Sequence, residues 1–140
     1  MIKIFNDYIK KQSYLFLRDT QDPISDIKRG FSCNVNSWFD TLEDALFYKN
    51  KHGALGNPKE DPISKKWCAD PELGLSGFGF YDEKSFNEAI SKIKNYNQSG
   101  KIALFIASEY YLDSGLDGED VFVPNKFLKF ITLDTKYNEL

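Results

Sequence analysis

The sequence is poor in the residues that metal centres and disulfide frameworks require. Its 140 residues include two cysteines, Cys33 and Cys68, and a single histidine, His52. A structural zinc site needs four ligands, and its cysteines usually come in closely spaced pairs. No such pair exists here. We therefore expect no metal site, while a single disulfide between the two cysteines stays open.

Long apolar runs and blocks of like charge are also missing. No window approaches the roughly 20 apolar residues of a membrane span, and residues 1–13 lack the apolar core of a signal peptide. The net charge of −3 gives little support to a basic nucleic-acid-binding face. Repeats and linkers are absent as well. These features predict a single domain over residues 1–140 in a reducing cytoplasm, with no membrane partner and no nucleic-acid partner.

The common catalytic signatures are absent too. The chain has no GxxxxGK[ST] loop, no GxGxxG after a strand, no GxSxG elbow and no HExxH pair, which removes several large enzyme classes. The acidic stretch 113–124 is not an EF-hand, because Gly115 and Pro124 stand where that calcium loop needs oxygen ligands. We interpret His52 as a solvated residue at the end of a helix rather than as a catalytic base.

Aromatic residues, by contrast, are abundant, with twelve Phe and eight Tyr. Aromatic side chains pack well across strands, so this composition favours a core that contains a sheet. The predicted order is strand, helix, helix, strand, helix and then three strands, which indicates an α+β fold with mixed or antiparallel sheets and two to three helices. The predicted strands cover residues 13–18, 76–81, 101–108, 121–124 and 126–133, with a hairpin-like corner at Pro124-Asn125 between the last two.

Capping residues predict the helices. Pro23 opens a helix of about two turns that ends at Gly30, and Thr41 and Gly53 delimit a second helix. The third helix is predicted from a capping box of Ser85 and Glu88 and from apolar residues at helical spacing up to Tyr96.

The chain between the second and third predicted helices shows no regular spacing of apolar or charged residues. Residues 54–76 carry three prolines and two glycines, which predicts an irregular surface segment anchored by Trp67 and Cys68. A loop of this length in a small domain is usually functional or mobile.

Two charged segments could carry chemistry. Arg18 and Asp19 end the first predicted strand, and Asp117, Glu119 and Asp120 directly precede a later one. Carboxylates at the mouth of a strand can bind a pair of ribose hydroxyls or stabilise a developing cation. A solvated acidic turn would look the same in sequence.

The stretch LFLRDTQDPISDIKRGF resembles the first strand, turn and helix of the ADP-ribosyltransferase fold, as in pertussis-like and pierisin-like toxins. The Asp19-Thr20 step, Pro23 and the Gly30-Phe31 closure stand at the family's spacing. WFDTLEDALFYK resembles the segment that shapes the nicotinamide pocket, and GEDVFVP resembles the terminal segment, in which a catalytic Glu precedes a strand that ends in Pro.

This resemblance implies an ADP-ribosyltransferase-like split sheet and a mono-ADP-ribosyltransferase activity, with NAD as co-substrate and a protein or other macromolecule as acceptor. Arg18 would bind the NAD phosphates, and Glu119 or Asp120 would hold the ribose and stabilise the oxocarbenium-like transition state. The segment 54–76 would contact the acceptor. The small size suits an effector or a phage- or toxin-related modifier. Five further residues would line the NAD site: Asp19, Trp38, Thr41, Phe80 and Tyr81.

The motif departs from the family pattern at both ends. Leu17 occupies the position of the family's Arg, so Arg18 points into the cleft only if a bulge or twist restores it. Asp120 stands where the catalytic Glu belongs, and Gly118 stands where Gln or Glu is usual. The site is therefore either a divergent variant or inactive.

Two alternatives remain beside the enzyme. A non-catalytic immunity or inhibitor protein could use an aromatic and acidic surface, including Tyr110, Tyr111 and residues 113–120, to occlude a partner's active or basic site. A structural domain whose aromatic residues all lie in the core is the third interpretation.

Overall fold

A computed structural model describes residues 8–53, 56–97, 100–112 and 120–140. The chain forms one α+β domain with antiparallel sheets, as the sequence predicts, and its described part holds three α-helices. The helices are α1 (Pro23–Arg29), α2 (Leu42–His52) and α3 (Glu83–Ile93). The strands are β1 (Tyr8–Asp19), β2 (Phe31–Ser32), β3 (Trp38–Phe39), β4 (Lys59–Glu60), β5 (Trp67–Cys68), β6 (Glu72–Leu73), β7 (Phe78–Phe80), β8 (Ile102–Leu112) and β9 (Asp120–Ile131).

The main sheet has four antiparallel strands in the order β7-β1-β8-β9. Successive side chains of a strand face opposite sides of the sheet, so β1 sends Leu17 to one side and Phe16 to the other. Both side chains are fully buried. The sheet therefore carries apolar residues on both faces, which explains why β1 and β8 have unbroken apolar runs in sequence.

Helix α3 covers the Leu17 face, where Phe80, Phe86 and Ile93 join the core. The helix begins at Asp82, whose carboxylate accepts the Ser85 N–H at 2.8 Å while the Ser85 hydroxyl accepts the Asp82 N–H. The predicted Ser85–Glu88 capping box was therefore wrong by one turn. The sequence contains two overlapping cap signals, and the helix uses the earlier one, which follows two residues after the end of β7 at Phe80.

The opposite face carries a smaller cluster of Phe16, Ala103, Phe105 and Ala107, against which α1 packs through Ile27. Phe122 and Phe127 of β9 complete this cluster. Helix α1 ends where the sequence predicts, because Gly30 adopts a left-handed conformation with φ 68°.

The predicted hairpin corner at Pro124-Asn125 was wrong, because β9 is one continuous strand. Its register against β8 shifts twice, and one shift inserts Asn125 between residues paired with Ile106 and Ala107. The Asn125 amide then donates to the hydroxyl of buried Ser108 at 2.6 Å. Proline lacks an N–H, and Pro124 is tolerated because β9 lies at the edge of the sheet.

The main sheet is strongly curled. Strands in a sheet lie about 4.8 Å apart, so β9 and β7 would be roughly 14 Å apart in a flat sheet of this order. Yet the Phe122 ring of β9 covers Gly79 of β7 so closely that a Cβ there would come within 2.4 Å of it. The Leu75 N–H also donates to the Phe122 carbonyl at 3.1 Å. The chain entering β7 thus touches the outer edge of β9.

Residues 31–73 form a second region, which we call the disulfide lobe. It contains α2 and two small sheets, β2-β6 and β3-β5-β4. Cys33 and Cys68 form a disulfide there, and Cys68 is fully buried. The part of 54–76 that the structure describes holds short strands rather than only irregular chain, and the Trp67–Cys68 pair anchors it as expected.

The lobe is also fixed by a buried carboxylate. Asp61 is 2% exposed and lies 3.0 Å from the Arg29 guanidinium at the end of α1. It also accepts the Ile63 N–H and the Ser64 hydroxyl. Burial alone raises the pKa of Asp61, but these hydrogen bonds and the Arg29 charge outweigh burial and hold that pKa below its ordinary value.

Candidate functional site

A cavity of about 730 Å³ opens where the main sheet meets the disulfide lobe. Its wall is formed by the end of β1, by β6, by the chain that enters β7, by the end of α3 and by the start of β9. This volume lies in the range of small-molecule sites, which are usually concave and mostly apolar with a few convergent polar groups. Arg18 and Asp19 of the opening motif both line it.

Two glycines allow the cavity wall to approach the sheet. Gly74 has φ 86°, and a Cβ there would lie 2.8 Å from the Phe122 carbonyl. At Gly77 a Cβ would lie 2.4 Å from the Leu17 carbonyl. Any side chain at these positions would push the wall segment away from β9 or β1, so the spacing of glycines in LGLSGFGF is a requirement of the cavity.

The Arg18 guanidinium is held by two elements. Nε donates to the Asp26 carboxylate at 2.9 Å, and Nη1 donates to the Ser76 carbonyl at 2.7 Å and to its hydroxyl at 3.0 Å. The side chain is 20% exposed. The register irregularity in β1 falls between Lys10 and Gln12, far before Arg18. Arg18 lies on the Phe16 face of the sheet and lines the cavity without a bulge next to it.

Carboxylates, hydroxyls and aromatic rings share the rest of the wall. Asp19 and Glu72 place two acidic residues there, and Ser32 and Ser76 add hydroxyl groups. The rings of Phe78 and Tyr96 lie 6.0 Å apart at an angle of 35°, and Tyr96 is 65% exposed. These groups together suit a ligand that carries sugar hydroxyls, a flat ring and an anion.

The predicted site residues fall into three groups. Arg18 and Asp19 line the cavity, and Asp120 immediately precedes Val121, which lines it too. The side chain of Asp120 and the whole of Glu119 lie outside the part of the chain that the structure describes.

The remaining predicted residues lie elsewhere. Trp38 packs against Phe31 in the disulfide lobe, and Thr41 caps α2 by accepting the Asp44 N–H at 3.1 Å. Phe80 is buried in the α3 core, and Tyr81 is exposed next to Tyr14. None of these four is part of the cavity wall.

Sequence reasoning missed several residues of the wall. Ser32, Glu72 and Phe122 carry no local signal, because only the lobe and the curled sheet bring them to β1. Tyr96 was predicted to lie at helical spacing in the third helix, but α3 ends at Ile93 and Tyr96 is largely exposed.

Other candidate chemistry has little support in the described ranges. There, no cluster of three or more His, Cys, Asp or Glu residues could hold a metal ion. His52 is exposed at the end of α2, with its ring 4.2 Å from that of Tyr48. None of the described helices has the length and apolar character needed to cross a membrane. Disulfides such as Cys33–Cys68 persist mainly in oxidising compartments. This disulfide gives the predicted cytoplasmic location no support, and that location stays an untested prediction.

No protein-family model, no curated protein and no solved structure matches the chain. The resemblance to ADP-ribosyltransferases therefore stays a prediction. A function has to be argued from the cavity and from the residues that surround it.

Proposed function

We propose that the protein is a mono-ADP-ribosyltransferase-like enzyme that binds NAD in this cavity and modifies a macromolecular acceptor. One observation carries the proposal. Two of the three segments of the resemblance, Arg18-Asp19 and the start of β9, are about 100 residues apart in sequence and border the same cavity. Trp38 and Thr41 of the third segment do not line it. A chance likeness of two short motifs gives no reason for such proximity.

The composition of the wall supports the same ligand. The Arg18 guanidinium is a planar donor fork that suits a phosphate group. Phe78 and Tyr96 offer aromatic surface to a heterocycle. The acidic residues Asp19 and Glu72 do not suit phosphates, but carboxylates suit ribose hydroxyls and the positive charge that develops at the ribose.

The proposed reaction breaks the bond between the ribose C1′ and the nicotinamide nitrogen, and the electron pair leaves with nicotinamide. A nucleophilic atom of the acceptor then bonds to C1′ and loses its proton to a carboxylate. Glu119 or Asp120 serves as this carboxylate and stabilises the cationic transition state. Arg18 holds the phosphates in place while the bond breaks, so that the ribose stays oriented.

The experiment is a calorimetric titration of the protein with NAD beside an assay for released nicotinamide. We expect saturable binding and slow release by hydrolysis even without an acceptor. A folded protein that neither binds NAD nor releases nicotinamide would overturn the proposal.

Variants assign the carboxylate. Glu119→Ala and Asp120→Ala are compared with Glu88→Ala, which changes an exposed carboxylate on α3 far from the motif. We expect at least one of the first two to lose nicotinamide release about 100-fold, a typical loss for a group that acts in proton transfer. The melting temperatures should stay nearly equal. Full turnover in both would exclude these acids.

The alternative is a non-catalytic binding module, and one observation favours it. Helix α2 buries only Ala45 among its residues, whereas Phe47 is 71% exposed and Leu42 and Leu46 are also exposed. Exposed apolar residues of this kind often mark a protein interface. The sequence predicted a different surface, formed by Tyr110, Tyr111 and residues 113–120. Of these residues, Tyr111 is exposed, and residues 113–119 lie outside the described part of the chain.

The same titration separates the two functions. Binding without nicotinamide release indicates a pocket that has lost its chemistry. An absence of binding in a folded protein makes the α2 surface the leading candidate, and Phe47→Ser would then be the variant to compare in any partner assay.

A further inference from the structure

The geometry points to Asp26 as a positioning residue that aims the Arg18 guanidinium into the cavity. This inference rests on the proposed function, since it concerns how the same site holds an anionic ligand. Asp26 was not a candidate in the sequence, although it is the one acidic residue of the short helix α1.

The contacts of Arg18 divide its guanidinium into a held edge and an available end. A guanidinium has five N–H donors in a fixed plane. Among the described residues, all hydrogen bonds of Arg18 use Nε and Nη1: one to Asp26, and two to Ser76. The two donors of Nη2 are the ones that this arrangement leaves for a bound phosphate.

Asp26 is well placed to hold that edge. Its carboxyl group is 7% exposed and its backbone lies inside α1, which Asp22 caps at one end and Gly30 ends at the other. The next residue, Ile27, packs against the Phe16 cluster on the main sheet. The carboxylate therefore has a fixed position relative to β1, and a planar group bonded to it through Nε can rotate little.

The ion pair has a structural explanation as well. A pair of this kind contributes little net stability compared with apolar side chains of the same volume, although breaking it leaves a buried charge. Stability alone thus gives a weak reason for an Arg–Asp pair in the wall of a cavity. Orientation of the arginine gives a second reason, and the two explanations predict different results for ligand affinity.

The matched control lies in the same helix. Arg29 of α1 makes a similar contact, at 3.0 Å, with the buried carboxylate of Asp61. That pair lies outside the cavity wall. Asp26→Asn and Asp61→Asn therefore remove the same charge from two comparable pairs, and only the first should change the binding of NAD.

The first measurement needs no ligand and no stability assumption. In the wild-type protein, the Arg18 Nε–H signal in a 15N-correlated NMR spectrum, assigned with Arg18→Lys, should be resolved and slow to exchange with water. In Asp26→Asn it should merge with the signals of mobile arginines, while the Arg29 signal stays in place. A wild-type Arg18 signal that already exchanges rapidly would overturn the inference, even if Asp26→Asn does not fold.

The second measurement is the affinity for NAD by titration calorimetry. We expect Asp26→Asn to weaken binding about tenfold, the size expected when a charge-assisted hydrogen bond that orients a binding group is lost. At a temperature at which the disulfide lobe of Asp61→Asn stays folded, this variant should bind NAD as the wild type does. In an Arg18→Ala background, adding Asp26→Asn should change nothing further, because Asp26 acts through Arg18.

The outcomes separate the two proposals. If the wild type does not bind NAD, the proposed function fails and the positioning role fails with it. If the wild type binds and Asp26→Asn binds equally well, only the positioning role is overturned. A tenfold loss that persists in the Arg18→Ala background also overturns it, since Asp26 would then act by another route.

Discussion

The main sheet and the disulfide lobe are stabilised in different ways. Four of the largest fully buried side chains, Phe16, Phe80, Phe86 and Phe105, belong to the sheet and to α3. In the lobe, Phe31 is the one aromatic ring among the largest fully buried side chains, and α2 leaves most of its apolar residues exposed. The sheet therefore depends on apolar burial, and the lobe depends on a disulfide and a buried ion pair.

This difference bears on function because the cavity lies between the two regions. Arg18 comes from the sheet, whereas Ser32 and Glu72 come from the lobe, one residue before Cys33 and four after Cys68. A local opening of the lobe would dismantle one wall of the cavity while the sheet stays folded. Binding sites at a junction of this kind are sensitive to the weaker region.

The largest expected effect is in the core of the sheet. Phe86→Ala removes a fully buried ring that lies 5.0 Å from Phe80, and should lower the free energy of unfolding by about 3–5 kcal/mol. The control is Phe47→Ala on α2, which should change it by less than about 0.5 kcal/mol because this ring is exposed. Urea denaturation measures both. Similar losses would show that the lobe packs as tightly as the sheet.

The second effect is specific to the lobe. Replacing both Cys33 and Cys68 with Ala should lower the free energy of unfolding by roughly 2–4 kcal/mol, the usual range for a disulfide, here across a sequence separation of 35. Hydrogen exchange should speed up first in β5 and β6, and only slightly in β8. Equal acceleration in β8 would mean that the two regions unfold as one unit.

The third effect depends on pH. Asp61→Asn should lower the free energy of unfolding by about 1–3 kcal/mol at neutral pH, because it weakens the contacts to Arg29, Ser64 and the Ile63 N–H. The folded state lowers the pKa of Asp61, so this contribution is complete above the ordinary carboxyl value of 3.8 and is lost as the pH falls through the folded-state pKa. Denaturation of both proteins between pH 7 and pH 2 measures it, and a constant difference would contradict the assignment.

The smallest effect concerns the cap of α2. Thr41→Ala removes the acceptor of the Asp44 N–H and should cost about 1 kcal/mol, whereas Thr41→Ser should cost less because it keeps the hydroxyl. The loss should appear as faster exchange of the first α2 amides. If the exchange rates of the sheet amides rise equally, α2 is coupled to the sheet more strongly than its few buried residues indicate.

Elements that depend on neighbours in sequence were predictable. Thr41 and Gly53 set the limits of α2 correctly, and Gly30 ends α1 as expected, because caps and left-handed glycines act within one turn. The error at Pro124 has the opposite cause. A proline signals a break in sequence, but an edge strand with a bulge accommodates it, and edge position is a property of the whole sheet.

The candidate site was predictable only in part. The charge pair at the end of β1 marked Arg18 and Asp19, since a strand end lies at the rim of a sheet. The partners of Arg18 were not predictable, because Ser76 is 58 residues away and Asp26 reaches Arg18 only through the packing of α1 against the sheet. Residues such as Trp38 and Phe80 matched a pattern but lie outside the cavity wall.

By itself, the sequence determined the limits of α1 and α2, the glycine positions and the apolar faces of β1 and β8, because these depend on contacts within a few residues or on a simple hydrophobic period. Only the tertiary structure decided the strand order, the curl that brings Phe122 over Gly79, the Cys33–Cys68 pairing and the cavity between sheet and lobe. Such features join residues far apart in the chain, and many pairings satisfy the same local pattern until the whole core is packed.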